Sequence, residues 1–201
     1  MKEMYRLKYH LEPESGWMND PNGLVEKDGI YHIYYQYAYK AEGGLKYWKQ
    51  VTTKDFLHYK DEGIALSPDH PHDKSGVYSG CCFNDHGLLR YFYTGNVKLP
   101  GDYDYINAGR EHNVMTVDSQ DGLVLDHKEV LLYNKDYPSN MSCHVRDPYV
   151  YENDGVYYMV LGARTLDSQG CVMLYTSKDL KKWDYMKTMN YHEPFGYMWE
   201  C

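Results

Sequence analysis

Two stretches of this chain, DPNGLVEKDGIYHIYYQY from Asp20 and DPYVYENDGVYYMVLGAR from Asp147, echo one another 127 positions apart. A second pair keeps the same order: VTTKDFLHY from Val51 and LYTSKDLKKW from Leu174, with Asp55 and Asp179 separated by 124 positions. Between them lies a looser copy, SGCCFNDHGLLRYFYTG from Ser79 followed by MTVDSQDGLVL from Met115, whose His86-Gly87 falls 58 residues after Asp28-Gly29 and 68 before Asp154-Gly155. Repetition at such a period restricts a chain to architectures that stack copies of one supersecondary unit. Each unit reads as an entry strand, a tight turn at Asp-Gly or His-Gly, a tyrosine-rich second strand, and a later strand that runs into a Ser/Thr-x-Asp turn. Helical periodicity is scarce, so the class is all-β. Four short antiparallel strands per unit describe a propeller blade, and three blades cannot close a ring, which needs about four to eight. Residues 191–201, YHEPFGYMWEC, read as the approach to a fourth entry strand.

Composition narrows the partners. The 201 residues include 24 Tyr but only 4 Phe and 4 Trp, a bias that suits half-buried strands and surfaces that meet polar, ring-shaped ligands. The formal charge of −8 and the lack of any Lys/Arg-rich run argue against nucleic acid. No stretch approaches the roughly 18 apolar residues of a membrane span. Nor does MKEMYRLKYH at the start hold an apolar leader core, so a cytoplasmic protein is expected. Cysteines 81, 82, 143, 171 and 201 lack paired CxxC spacing and read as reduced thiols.

A propeller gathers the beginnings of its innermost strands around one axis. At those positions stand Asp20, Ser79, Asp147 and Glu200, so three acids and a hydroxyl are expected to share one cavity. Like charges brought together raise one another's pKa, leaving one carboxyl protonated near neutral pH while another stays ionised. Glycoside cleavage needs that division, an acid to protonate the leaving oxygen and a carboxylate on the opposite side of the sugar.

Three motifs, WMNDPNG at 17–23, RDP at 146–148 and EC at 200–201, resemble in this order the signatures of glycoside hydrolase family 32, the invertase and fructan hydrolase family. YHIYYQY, ALSPD with GVYSG, and LGAR extend the likeness over nearly the whole chain. The resemblance implies a five-bladed β-propeller of four-stranded antiparallel blades, of which residues 1–201 supply about three blades and the start of a fourth. Two further blades and a C-terminal β-sandwich would lie outside this chain, whose exposed blade faces would then invite self-association.

It implies a retaining β-fructofuranosidase acting on sucrose, sucrose 6-phosphate or short fructans, without metal or cofactor. By the same resemblance Asp20 is the nucleophile, Glu200 the acid/base, and Asp147 the stabiliser of the oxocarbenium-like transition state. Arg146, beside Asp147, is able to pair with carboxylates or hydroxyls. Gln36 and Ser79 match positions lining the fructose pocket. Local chemistry fits the first assignment, because a tight turn through Pro-Asn-Gly would fix Asp20 at a strand start while the Asn19 amide bonds to the sugar or to Asp20.

Departures from the family pattern concern the rim. Trp48-Lys49-Gln50-Val51 stands where relatives usually carry Trp-Gly-His-Ala, Gly43-Gly44 replaces a nearby aromatic, and Cys81 replaces a serine. These put the leaving-group preference in doubt, not the reaction. Trp48 is either a stacking platform or a core residue. His70, His72 and Asp73 read as a solvated loop rather than a ligand set. Two other readings compete. A related five-bladed propeller glycosidase acting on arabinose or xylose polymers shares three spaced acids but usually lacks WMNDPNG, and an inactive carbohydrate-binding fragment would not need all three acids.

Overall fold

The computed structural model describes residues 7, 9–190, 193 and 195–200. Twelve strands form three separate four-stranded antiparallel sheets, each in simple sequence order. The first holds β1 (Trp17–Lys27), β2 (Ile30–Ala38), β3 (Tyr47–Thr53) and β4 (Tyr59–Leu66). The second holds β5 (Val77–Asp85), β6 (Leu88–Lys98), β7 (Arg110–Ser119) and β8 (Asp126–Leu132). The third holds β9 (Met141–Asn153), β10 (Val156–Thr165), β11 (Gly170–Ser177) and β12 (Asp184–Met189). These are the three repeat units, and β5 packs against both β1 and β9, so the first strands of the blades adjoin.

The turns explain why the repeat is visible. Asp28-Gly29, His86-Gly87 and Asp154-Gly155 all have positive φ at both residues, between +51° and +100°, as a two-residue hairpin whose twist matches its strands requires. The second signature is equally regular. Thr53, Ser119 and Ser177 accept at their hydroxyls from the backbone N–H three residues on, at 2.9, 2.9 and 3.0 Å. Asp55, Asp121 and Asp179 each accept two further backbone N–H groups at 2.8–3.0 Å.

Alternation along each strand sends neighbouring side chains to opposite blade faces. Tyr91 and Tyr93 pack with Tyr34, Trp48, Leu66 and Met115 between the first two sheets, while Phe92 joins Val114, Val145, Met159, Leu161 and Trp183 between the second and third. Trp48 is therefore a core residue: it is wholly buried and donates through Nε1 to the Tyr78 carbonyl at 3.0 Å. Gly80 is where β5 comes closest to its neighbour β6, since a Cβ there would lie 1.9 Å from the Phe92 carbonyl oxygen and 2.7 Å from the Tyr93 Cα. Gly80→Ala is expected to destabilise the fold by about 3 kcal/mol or more, read as a lowered midpoint in urea unfolding. An unchanged midpoint would mean that the β5–β6 pairing relaxes freely.

The loop expectation for Asp73 needs correction. Asp73 is completely buried and accepts from the Tyr93 hydroxyl, the Lys128 ammonium and the His70 backbone N–H, all at 2.8 Å. A carboxylate with three donors can leave water, and this one ties the β4–β5 loop to β6 and β8.

Candidate active site

Asp20 lies eight residues before its hairpin turn at Asp28, whereas Ser79 and Asp147 each lie seven before theirs at His86 and Asp154. The register accounts for the difference. Between Asn22 and Val25 strand β1 holds one residue more than its partner, a bulge that includes Gly23 at φ +52°. Each inner strand also bulges nearer its start, β1 for a second time between Met18 and Pro21, β5 between Val77 and Gly80, and β9 between Arg146 and Tyr149. A bulge re-aims the side chain it carries. The three bulged segments contain Asp20, Ser79 and Asp147, and these residues line one cavity of about 280 Å³ together with Asn22, Tyr149 and Glu200. WMNDPNG is thus a doubly bulged strand rather than the tight turn the sequence implied, because pairing with β2 holds the segment extended on both sides of Asp20.

Ser79 donates to Asp20 Oδ2 at 2.7 Å and accepts from Gln36 Nε2 at 2.5 Å. The relay runs one way and engages Oδ2 of an exposed aspartate. Gln36, 6% exposed, stands one step behind the wall rather than in it. Asn19 is exposed and does not line the cavity. The amide that braces Asp20 is Asn22, which donates to the Asp20 carbonyl at 3.1 Å and accepts the Gly80 N–H across the blade interface at 3.1 Å.

Asp147 is 7% exposed and has φ +59°, a strained conformation for which aspartate is one of the better tolerated residues. Its backbone N–H is held by Thr94 Oγ1 at 2.9 Å, and Thr94 in turn donates to the Ser79 carbonyl at 3.4 Å. Burial pushes the Asp147 carboxyl up to about 7, with Glu200 and Asp20 adding to the rise and Arg146 opposing it. From the sequence, like charges are expected to divide the acids. Desolvation is the larger cause, because Asp147 sits deep between blades while Asp20 faces solvent.

Arg146 joins the third acid to the second. Its Nε and Nη2 donate to Glu200 Oε1 at 3.1 and 2.6 Å, and Nε lies 3.7 Å from Asp147 Oδ2. The structure thus brings together Asp20, Ser79, Asp147, Arg146 and Glu200, with Gln36 behind. Sequence reasoning passed over Asn22, Thr94 and His144, the last accepting from Arg146 Nη1 at 2.7 Å. Asn22 lies within the opening motif and could have been weighed beside Asn19. Thr94 has no sequence signal, since it acts on a backbone group of another blade. Cys81, a rim position by sequence, also lines the cavity and takes the Val150 N–H at its sulfur at 3.2 Å.

An exposed acid, a buried carboxyl of raised pKa and a third acid on an arginine share one cavity among stacked four-stranded blades, the class of propeller in which a cluster of acids meets a polar ligand. The particular family follows from comparison. Residues 10–201 match the Glycosyl hydrolases family 32 N-terminal domain, and the chain belongs to that family. It is 37% identical to sucrose-6-phosphate hydrolase of Bacillus subtilis, over 98% of this chain and 40% of that protein. Among solved structures it is similar to sucrose-6-phosphate hydrolase from Lactobacillus gasseri, with 30% identity and a TM-score of 0.84 over 96% of this chain and 39% of that one. It also resembles a mutant of the Bombyx mori β-fructofuranosidase BmSUC1 in complex with sucrose, with 29% identity and a TM-score of 0.82 over 98% and 40% of the two chains. The chain therefore spans about 40% of the length of the relatives it matches.

Proposed function

We propose that this chain is the N-terminal portion of a five-bladed catalytic propeller that hydrolyses the fructosyl bond of sucrose, sucrose 6-phosphate or short fructans with retention of configuration. The observation that carries the reading is the convergence of Asp20, Asp147 and Glu200 on one cavity in three different environments. The names of the relatives and the sucrose complex of the silkworm enzyme favour a fructosyl substrate over arabinose or xylose polymers.

In this mechanism Asp20 Oδ1 attacks the anomeric carbon while Glu200 gives its proton to the departing glucosyl oxygen, so the C–O bond breaks as the fructosyl ester forms. Ser79, itself held by Gln36, donates to Oδ2, which fixes the angle of attack. Glu200, now a carboxylate, takes a proton from water that displaces Asp20 and returns both groups to their starting states. Asp147 contributes through its position. Its negative charge is costly in the free cavity and is offset when positive charge develops on the sugar ring, so the interaction strengthens toward the transition state. A cytoplasmic setting is consistent with the free thiols of Cys82, Cys143 and Cys171.

A proton NMR time course of sucrose cleavage by the full-length protein checks the stereochemistry. A nucleophile and acid/base about 5–5.5 Å apart leave no room for an intervening water, so the β-anomer of fructofuranose should appear first. The α-anomer appearing first would rule out Asp20 as a covalent nucleophile.

A further inference from the structure

We propose that His144 is a positioning residue, a neutral ring that accepts one edge of the Arg146 guanidinium and thereby turns the other edge onto Glu200. The inference rests on the assignment of Glu200 as acid/base and extends it one residue outward. An arginine has five N–H donors and no acceptor, so a nitrogen 2.7 Å from Nη1 must offer a lone pair. His144 Nδ1 is then unprotonated, and any ring hydrogen resides on Nε2.

The surroundings enforce that state. His144 is 9% exposed on β9, and its ring stands nearly perpendicular to that of His112 of β7 with 5.4 Å between centroids. His112 is itself wholly buried, and burial together with the same arginines keeps it neutral. The charged groups that bear on His144 are all cations: Arg146 on its own strand, Arg110 at the start of β7 and Arg164 on β10. The Tyr105 carbonyl is the one opposing influence. Burial first, then Arg146 and Arg110, push the ring down to about 4, so it stands as an acceptor throughout the range in which a cytoplasmic enzyme works.

The geometry makes this consequential. Glu200 is 62% exposed at its side chain, and among the described residues its hydrogen bonds are both with Arg146. An acid so placed takes its orientation from the guanidinium, and a guanidinium free to rotate about its long side chain would not supply it. His144 removes that freedom by fixing Nη1, leaving Nε and Nη2 as a fork on one oxygen of Glu200.

The test is leaving-group dependence in the full-length protein. His144→Leu fills the ring's space without an acceptor, while His144→Asn can return a carbonyl oxygen near the place of Nδ1. Sucrose has a poor leaving group that needs protonation, and a nitrophenyl β-fructofuranoside does not. For His144→Leu, kcat/KM on sucrose is expected to fall by about 10- to 100-fold and on the aryl substrate by less than about threefold, with His144→Asn recovering most of the loss. Equal losses on both substrates would reduce His144 to a structural role and overturn the proposal, as would wild-type kcat/KM in His144→Leu. Should His144→Leu not fold, His144→Asn decides: a selective defect on sucrose approaching that of Glu200→Gln overturns the acceptor role, and a defect of less than about threefold on both substrates supports it. Glu200→Gln in the same assay separates the two levels of inference, because near-normal sucrose hydrolysis by that variant removes the acid/base assignment itself.

Discussion

Asp20→Ala in the full-length protein is expected to lower sucrose turnover by on the order of 10⁴-fold or more while sucrose still binds. The loss is chemical because without the carboxylate no fructosyl ester can form. The fold should hardly notice. Asp20 is exposed, its carboxylate's one hydrogen-bond partner among the described residues is Ser79, and Ser79 keeps its bond from Gln36. Turnover measured beside binding calorimetry and a thermal melt checks the result. Substantial activity in a folded variant would remove Asp20 from the chemistry, and loss of binding along with turnover would make it a substrate-holding residue instead.

Asp147→Asn is expected to do two opposite things. Activity on sucrose should fall by about 100- to 1000-fold, since the negative charge facing the developing cation is gone. Stability at alkaline pH should rise. The carboxyl is pushed from an ordinary value of 3.8 up to about 7, so between those pH values the folded protein keeps a proton that the unfolded chain has released. Stability therefore falls as pH rises through that window, and the full cost is present above it. An amide has no proton to lose and incurs none of this. A tenfold difference in proton affinity between the folded and unfolded chain is worth about 1.4 kcal/mol, and Arg146 stays beside the site in either variant. The variant should therefore exceed the parent by roughly 1–3 kcal/mol near pH 8, and the gap should close as the pH approaches about 4. Urea unfolding at the two pH values reads the difference directly. A variant less stable than the parent under alkaline conditions would mean that Asp147 is held by bonds which outweigh its desolvation.

That trade between stability and activity could not be read from the residues in order. The sequence led to an expectation that like charges gathered in one cavity would divide the acids, with no sign of which one would be buried. The raised value comes from depth between β5 and β9, which depends on where neighbouring blades lie. Asn19 and Asn22 make the same point within seven residues. Both flank Asp20, both suit the chemistry, and only the bulge at Gly23 decides that Asn22 is turned inward to reach Gly80.

What the sequence determined by itself was the repeat, and with it the blades. Asp-Gly and Ser/Thr-x-Asp turns are local hydrogen-bonding and φ requirements, satisfied within three or four residues, so they are legible wherever they occur, and they mark the first and last hairpins of all three sheets. The positions of Asp20 and Asp147 were legible for the same reason, being set relative to those turns, whereas Glu200 was placed by the start of a fourth repeat and by the EC motif of the family resemblance. Tertiary structure decided the rest: which side chains the paired bulges swing toward the axis, that Thr94 of one blade holds the backbone of Asp147 in the next, and that His144 stands behind Arg146. Each of these depends on how strands are registered and buried against one another, which is set by the packing of whole sheets, and no local pattern carries that information.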